Sequence, residues 1–472
     1  MKKYPLLVLL VVHLVCSGVS AQNLPAKTLW QGQLGAVRLI LRVFPDTLTG
    51  SPKAFFDSPD QNATNLVISQ LKITADSLEA FSKVIGGGFT GKFNKDKTEI
   101  SGNWTQGKAN VPLTLIRITS LAAPVERPQT PKAPFPYRSE NIKYDNAAGT
   151  VHFGATLTYP DSPKPVPVVI LISGSGQQDR DETIFNHKPF AVIADHLTRN
   201  GIAVLRVDDR GVGQTTGEVK NATSADFAKD VLAGITYLKT RKEIDPKQIG
   251  LIGHSEGGMI APMVVNQSKD VAFMVSMAGL GVKGVDLLKK QYADILKTAS
   301  FPAEQYQALT TLYFRLFDLV RAEVPGKPAN LKAEYLKWKT TQPKALMDSM
   351  KLNAGEPGEE MIHKFTEALN VPWMKYFINY DPDLVLSKIK IPVLAINGSN
   401  DIQVSASENL AGFERYLKKA GNKDFTIKEL PGLNHLFQTA QTGNLDEYAQ
   451  LDETISPLAL KVISDWIKGH VK

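Results

Sequence analysis

Cysteine is nearly absent from this sequence. The 472 residues contain one cysteine, Cys16, close to the N terminus. A lone cysteine forms no disulfide within the chain and cannot build a cysteine-based metal site. If the N-terminal segment is removed during export, the remaining chain contains no cysteine, and thiol catalysis is then excluded as well.

Apolar runs of transmembrane length are also lacking. The N-terminal run at residues 6–15 follows two lysines and is too short to span a bilayer comfortably, and the small residues of GVSAQ come soon after it. This order is typical of a cleavable secretory signal peptide, which we place at residues 1–21. We therefore expect a secreted or periplasmic protein with no stable membrane insertion after cleavage. Lipoprotein anchoring at Cys16 is not favoured, because Val15 stands where such a site prefers a small residue.

Blocks of like charge are missing too. The net charge of +7 falls to +5 when the signal segment is removed, since that segment contains two lysines and no acid. The remaining lysines and arginines are scattered along the chain, which is typical of a solvated mixed surface. The sequence therefore gives no reason to expect a nucleic-acid partner.

Two regions of different character flank a proline-rich segment. Residues 28–118 consist of short apolar runs separated by turns, such as VRLILRVF and VPLTLIRI, which is typical of an antiparallel sheet or small barrel. We predict a small β domain at residues 22–120, with Trp30 and Trp104 as core aromatics in preference to a binding face. The segment LAAPVERPQTPKAPFPYR, residues 121–138, predicts an extended linker.

Residues 139–472 alternate apolar strands with amphipathic helices. The strands include VPVVILISGSG, IAVLRVDDRG, QIGLIGHS and, much later, IPVLAING. Such alternation predicts the α/β class, with a mostly parallel sheet covered by helices on both faces. The long interruption at about 282–388 has helical periodicity instead, and we predict that it forms a helical cap.

The last part of this insertion carries the aromatic residues nearest in sequence to the late strand IPVLAING. They are Trp373, Tyr376 and Phe377, within the stretch VPWMKYFINYDP. Aromatic side chains in such helices commonly pack the core, and a cap over a cleft also uses some of them to line a pocket. We predict these three as substrate-pocket residues.

The stretch IGLIGHSEGGMIAP contains the pattern Gly-x-Ser-x-Gly around Ser255. An apolar strand precedes the pattern, and a segment able to begin a helix follows it, as in a nucleophile elbow. A serine hydroxyl is a poor nucleophile at neutral pH, so it requires a base within hydrogen-bond reach and a third group that orients the base.

Two later segments supply these groups in the chain order nucleophile, acid, histidine. Asp401 follows the late strand in IPVLAINGSNDIQV, and His435 lies in ELPGLNHLFQTA, a loop before the final helix. None of the other histidines combines a late loop with this order. We predict a catalytic triad of Ser255, Asp401 and His435.

An oxyanion formed during acyl transfer needs backbone N–H donors fixed in advance. The residue after the nucleophile, Glu256, is the first predicted donor. The second is expected after an early strand, in ISGSGQQDRDE, where Ser175 is the first choice and Gly176 the alternative. The acids and Arg180 that follow predict a salt-bridged turn in preference to a rim of the cleft.

Several segments together resemble the secreted bacterial carboxylesterases of the α/β-hydrolase superfamily, which are related to serine aminopeptidase-type hydrolases. They are SGSGQQDRDE, DDRGVG, GHSEGG, NGSNDIQV and LPGLNHLFQ. The resemblance covers residues 139–472, and DSPDQNA and GNWTQG resemble the small β domain that often precedes such enzymes. Ser173 is one departure, since many relatives carry the histidine of a His-Gly dipeptide there.

These observations predict a serine hydrolase that cleaves small-molecule carboxylic esters and uses no cofactor or metal. An aminopeptidase or dipeptidyl-peptidase could use the same triad, with Glu256 or acids of the cap holding a substrate ammonium. A thioesterase or acyltransferase is a further alternative. From another class, a non-catalytic binding protein could keep the fold with the β domain as its working part. The sequence does not specify the natural substrate or the oligomeric state.

Overall fold

The structure of the chain is a computed structural model. The structure describes residues 27–34, 37–44, 52–59, 63–107, 109–120, 127–324 and 326–471. The predicted signal peptide and Cys16 lie outside the described residues. No helix among the described residues is long and apolar enough to cross a membrane.

The chain divides into two compact units. One contains the described residues before 127 together with Ile184–Asn186 and Met347–Met361. The other contains Arg127–Thr183, His187–Leu346 and Ile362–Lys472. The domain boundaries given above stay a prediction.

An antiparallel sheet forms the N-terminal region, with nine strands in the described residues. Its strands are β1 (Thr28–Leu34), β2 (Val37–Phe44), β3 (Lys53–Ser58), β4 (Ala63–Val67), β5 (Gln70–Ile73), β6 (Ser77–Ser82), β7 (Gly87–Phe93), β8 (Glu99–Gln106) and β9 (Ala109–Ile118). Their order across the sheet is β4-β3-β2-β1-β9-β8-β7-β6-β5. The predicted all-β region is therefore confirmed.

Alternation along the strands explains why this sheet has one buried face. In β6, Leu78 and Ala80 are buried whereas Glu79 between them is exposed, as the two-residue period of a strand requires. Trp30 and Trp104 are only 1% and 3% exposed, and both belong to the apolar core. They are core aromatics, as expected, and do not line a binding face.

The second sheet has eight strands in the described residues, in the order β10-β11-β13-β12-β14-β15-β16-β17. They are β10 (Arg138–Asp145), β11 (His152–Tyr159), β12 (Val166–Ile172), β13 (Ala203–Val207), β14 (Ile244–His254), β15 (Val271–Met277), β16 (Val393–Gly398) and β17 (Phe425–Leu430). Pairing is antiparallel from β10 through β11 to β13 and parallel between all later neighbours.

Helices connect the parallel strands. They are α1 (Pro189–Arg199), α2 (Ser224–Leu238), α3 (Glu256–Val265) and α11 (Ala406–Ala420), and α12 (Pro457–His470) follows the last strand. The central strands are apolar almost throughout, since helices cover both faces of such a sheet. The carboxyl ends of β12, β14, β16 and β17 point to one edge, where ligands of open α/β sheets bind.

The predicted helical insertion is present between β15 and β16. It contains α4 (Gly284–Thr298), α5 (Ala303–Arg321), α6 (Leu331–Thr340), α7 (Lys344–Ser349), α8 (Pro357–Ala368), α9 (Pro372–Asn379) and α10 (Asp383–Leu386). Tyr292, Tyr313, Phe317 and Phe365 form an aromatic cluster in it, with ring centroids 4.5–5.8 Å apart. The N–H of Gly284, where the insertion begins, donates to the carbonyl of Tyr380 near its end at 3.0 Å.

Residues 127–138 of the predicted linker belong to the second unit, and side chains near residue 127 bind its C-terminal part. The Arg127 guanidinium donates to the carbonyls of Leu451 and Ala449 at 2.9 and 2.8 Å. Gln129 donates to the carbonyl of Ile455 at 2.8 Å and accepts the N–H of Thr454. Arg127 is buried, so the described part of this segment is held in place from its first residue.

Candidate active site

Ser255 lies in the sharp turn between β14 and α3. Its φ of 53° and ψ of −116° are strained for a residue with a side chain, a conformation that costs about 1–3 kcal/mol and is typical of functional sites. The Ser255 N–H donates to the carbonyl of Met277 at 2.8 Å, which ties the turn to β15. Ser255 is partly exposed, although His254 and Glu256 on either side of it are buried.

The two glycines of the pattern are explained by close backbone approaches. A Cβ on Gly253 would lie 2.0 Å from the carbonyl oxygen of Gly257. A Cβ on Gly257 would lie 2.1 Å from the carbonyl oxygen of Ile172. Both distances are below contact range, so only glycine allows the turn to be this tight.

Asp401 and His435 meet beyond the ends of β16 and β17. His435 Nδ1 lies 2.8 Å from Asp401 Oδ2, and the two residues are 5% and 7% exposed. The other carboxylate oxygen, Oδ1, accepts the N–H groups of Gln403 and Val404, each at 2.8 Å. Because a carboxylate only accepts, Nδ1 carries the proton in this contact and Nε2 is left as the basic nitrogen.

The loop that carries His435 is bound directly to the turn that carries Ser255. His254 Nε2 lies 2.9 Å from the His435 carbonyl oxygen, and the two imidazole centroids are 4.9 Å apart. The structure thus brings the three predicted residues to the same edge of the sheet.

The predicted oxyanion donors lie beside this turn. Glu256 begins α3, so its N–H has no acceptor within the helix. Gly174 approaches Ser255 closely, and its own N–H is already donated to Glu182 Oε1 at 2.7 Å. Ser175 and Gly176 follow it, and the Ser175 side chain hydrogen-bonds to the Glu256 carboxyl. This bond links the two segments that contain the predicted donors.

The Glu256 carboxyl is buried, with 2% of the residue exposed. Its Oε1 accepts the hydroxyl of Ser224 at 2.6 Å and the indole N–H of Trp373 at 2.8 Å. Burial raises the pKa of the Glu256 carboxyl, and hydrogen bonds from Ser224, Trp373 and Ser175 oppose this rise. The carboxyl therefore joins the elbow, the early loop and the helical insertion.

Ser173 stabilises the loop after β12 through the Asp209 carboxylate. Its hydroxyl donates to Asp209 Oδ1 at 2.7 Å, and the N–H of Gln178 donates to Asp209 Oδ2 at 2.9 Å. Burial raises the pKa of Asp209 to about 7; the two hydrogen bonds oppose this, and the charges of Glu182 and Glu256 add to it. The serine that departs from the family pattern thus has a buried partner of its own.

The segment Asp179–Asp181 forms the expected salt-bridged turn. Arg180 Nη2 lies 2.6 Å from Asp208 Oδ2, and Arg180 Nε lies 3.0 Å from Oδ1 of the same carboxylate. Asp179 accepts the N–H groups of Asp181 and Thr183. The turn therefore stabilises the loop after β12.

The three predicted pocket residues have different surroundings. Trp373 reaches Glu256, and its ring centroid lies 5.6 Å from that of Phe377. Phe377 is buried, whereas Tyr376 is partly exposed. Burial, followed by the charge of Asp226, raises the pKa of Tyr376. Trp373 is thus the pocket candidate that makes a polar contact with the residue after Ser255.

A buried pair that the sequence did not predict lies next to these residues. His254 Nδ1 is 3.0 Å from Glu182 Oε1, and both residues are buried. The two are 72 positions apart in the chain. Only the adjacency of His254 to Ser255 could have drawn attention to it. No group of three or more His, Cys, Asp or Glu side chains suited to a metal occurs in the described residues.

A largely parallel sheet with this strand–turn–helix at its carboxyl edge defines the class of α/β-hydrolase folds. Residues 167–428, more than half of the chain, match the family described as alpha/beta hydrolase fold, and the chain belongs to this family. The predicted fold class is confirmed.

Curated relatives include an esterase and proteins of other kinds. The chain is 27% identical over 285 residues to esterase EstD of Thermotoga maritima, a match that covers 59% of this chain and 57% of EstD. It is 25% identical over 317 residues to a multifunctional-autoprocessing repeats-in-toxin of Vibrio vulnificus, covering 64% of this chain and 6% of the toxin. The chain thus matches little more than half of the first relative and a small part of the second.

Solved structures with a similar fold include the Pyrococcus furiosus esterase Pf2001. It is 16% identical, the match covers 74% of this chain and 98% of the esterase, and the TM-score is 0.43. Est1E from Butyrivibrio proteoclasticus is 15% identical, with 70% of this chain and 98% of Est1E covered and a TM-score of 0.40.

Proposed function

We propose that this protein is a serine hydrolase that cleaves small carboxylic esters through an acyl-enzyme on Ser255. The contact between His435 Nδ1 and Asp401 Oδ2 is the observation that carries the proposal. It leaves His435 Nε2 as a base in a loop bound to the nucleophile turn. The strained, partly exposed Ser255 in that turn supports the same conclusion.

In the first half of the reaction, Ser255 Oγ attacks the ester carbonyl carbon while its proton passes to His435 Nε2. Asp401 stabilises the imidazolium that results and does not take the proton itself. The N–H groups of Glu256 and Ser175, with Gly176 as the alternative, stabilise the negative oxygen. His435 then gives its proton to the leaving alkoxide, which departs as the alcohol.

In the second half, a water molecule loses a proton to His435 and attacks the acyl carbon. The second tetrahedral intermediate collapses, and the proton returns from His435 to Ser255 Oγ as the acid is released. No bond change in either half requires a metal or an organic cofactor.

The surroundings of Glu256 favour an ester over a substrate with a free ammonium group. A buried carboxyl with a raised pKa, hydrogen-bonded by Ser224, Trp373 and Ser175, is poorly suited to bind a substrate cation. Among acids of the insertion, Glu323 is paired with Lys375 at 2.8 Å. These contacts support an esterase in preference to an aminopeptidase on the same triad.

The proposal is tested by comparing substrates on the purified protein. p-Nitrophenyl esters of graded acyl length should be hydrolysed, and aminoacyl-nitroanilides should not. Ser255→Ala should lower turnover by several orders of magnitude and abolish labelling by a fluorophosphonate, with the fold unchanged. Ser407→Ala, at an exposed position on α11, is the matched control and should behave as wild type.

A Ser255→Ala variant with one tenth of wild-type turnover would contradict the mechanism. Faster cleavage of thioesters than of matched esters would assign the triad to a thioesterase, and no labelling of the wild type would favour a binding protein. Export through residues 1–21 stays a prediction, which N-terminal sequencing of the protein recovered from its host would test.

A further inference from the structure

His254 has two hydrogen-bond partners, and both of them are acceptors. Its Nδ1 lies 3.0 Å from Glu182 Oε1, and its Nε2 lies 2.9 Å from the His435 carbonyl oxygen. A neutral imidazole donates through one nitrogen only and accepts through the other. A peptide carbonyl cannot donate, and Glu182 Oε1 already accepts the N–H of Gly174 at 2.7 Å. With Glu182 as the carboxylate, both contacts are satisfied only when both ring nitrogens carry hydrogen.

The charges around His254 are consistent with this protonation state. Burial alone would lower the pKa of His254, but the Glu182 charge, its hydrogen bond, the His435 carbonyl and the charge of Asp401 together raise it. The other side of the ring is apolar, since the Phe437 ring lies 6.3 Å away in an edge-on arrangement. The Glu182 charge also raises the pKa of the Asp209 carboxyl.

We propose that His254 is a positioning residue in the form of a permanent imidazolium, which holds the His435 loop against the nucleophile turn and places a positive charge beside His435. This inference rests on the proposed role of His435 as the base. Like charges a few ångströms apart disfavour each other, and the His254 and His435 ring centroids are 4.9 Å apart.

The same pair connects two parts of the site. Glu182 holds the N–H of Gly174, at the start of the loop with the predicted oxyanion donors, and pairs with His254. His254 in turn holds the carbonyl of His435. The oxyanion loop, the nucleophile turn and the base are thus joined through one buried ion pair.

Two variants separate the charge of His254 from its hydrogen bond. His254→Gln can still donate from its amide to the His435 carbonyl but carries no charge. Its acid limb in the profile of kcat/KM against pH should move upward because a positive charge beside the site is lost, and its plateau should fall less than that of the second variant. His254→Leu combined with Glu182→Gln lacks the bond as well and leaves no unpaired buried carboxylate. Its plateau kcat should fall on the order of 10- to 100-fold with KM little changed.

His152→Gln, at an exposed position in β11, is the matched control and should keep the wild-type profile. A His254→Gln profile that superimposes on the wild-type profile would overturn the proposal, as would a shift to lower pH. Wild-type protein without any ester hydrolysis would instead overturn the proposed function, and this outcome is recognised before any variant is compared.

A measurement without turnover tests the charge directly. In wild-type protein labelled with 15N-histidine, the two ring nitrogens of His254 should both show the shifts of a protonated imidazole from about pH 5 to 9. His254→Gln identifies these resonances by their loss. A His254 ring that is singly protonated at neutral pH would refute the inference, whatever the kinetic results.

Discussion

Replacing Asp401 by asparagine has an outcome that follows from the hydrogen bonds around this carboxylate. Oδ1 accepts two backbone N–H groups, from Gln403 and Val404, and Oδ2 faces His435 Nδ1. An asparagine has only one acceptor atom. Its amide oxygen is required at the Oδ1 position, because the reverse orientation would place the NH₂ against two N–H donors.

The amide NH₂ of Asp401→Asn then lies 2.8 Å from His435 Nδ1 if the geometry is kept. Two donors cannot face each other, so His435 must hold its proton on Nε2 and accept at Nδ1. In that tautomer Nε2 cannot take the Ser255 proton. A wrong tautomer of this kind lowers turnover by about 10⁴, which is roughly 5.5 kcal/mol of transition-state stabilisation.

Steady-state hydrolysis of a short p-nitrophenyl ester measures the effect. kcat should fall by about four orders of magnitude, with KM little changed, because the substituted group lies behind the histidine and away from the substrate. Asp424→Asn, at an exposed site with a histidine partner, is the matched control and should retain wild-type rates. Turnover within tenfold of wild type in a folded Asp401→Asn variant would refute the reasoning and place the acid elsewhere.

Three further predictions concern the residues around this centre. Trp373→Ala should change the ratio of activity on short and longer acyl esters by tens to hundreds of fold at most, with phosphonate labelling intact. Trp373→Phe loses only the donor to Glu256 and should change this ratio less. Equal ratios in the wild type and both variants would assign Trp373 to core packing. A shortened chain that begins just before Arg127 should still hydrolyse small soluble esters. A chain that begins at residue 139 should melt at a lower temperature, because it lacks the hydrogen bonds made by Arg127 and Gln129. Complete loss of activity in a folded shortened chain would show that the β domain contributes to catalysis. The pKa of Asp209 is raised from 3.8 to about 7 in the folded protein, so the stability that this group contributes at low pH is lost as the pH rises between these values. Urea unfolding of Asp209→Asn should therefore show a smaller decrease in unfolding free energy between about pH 4 and 7. An identical decrease would contradict the burial effect.

The sequence predicted those parts of the molecule that depend on local pattern. The apolar run before Ser255 and the glycines around it identify the elbow, because few backbone arrangements need that spacing. Alternation of strands and helices predicts the fold class, and the chain order of Asp401 and His435 places them beyond late strands at the same sheet edge. The meeting of these two side chains agrees with the prediction, and their catalytic role is a proposal.

Contacts between distant segments could not be predicted in this way. Glu182 approaches His254 across 72 positions, and Gln129 binds residues more than 320 positions later. Such pairs depend on the exact position of the loops after the sheet has formed. Neither apolar periodicity nor turn propensity encodes the position of a loop. The same reason applies to Trp373, since its position near a late strand gave no indication of a bond to Glu256.

The hydrogen bond between Gly284 and Tyr380 joins the two ends of the helical insertion. The chain is closed at its base shortly after it leaves β15 and shortly before it returns to β16. Helices beyond this closure can be lengthened, shortened or exchanged without moving the strand ends, since each doubling of a flexible loop costs only about 0.6 kcal/mol once its ends are held. The insertion can therefore change in length and sequence while the sheet and its edge stay constant.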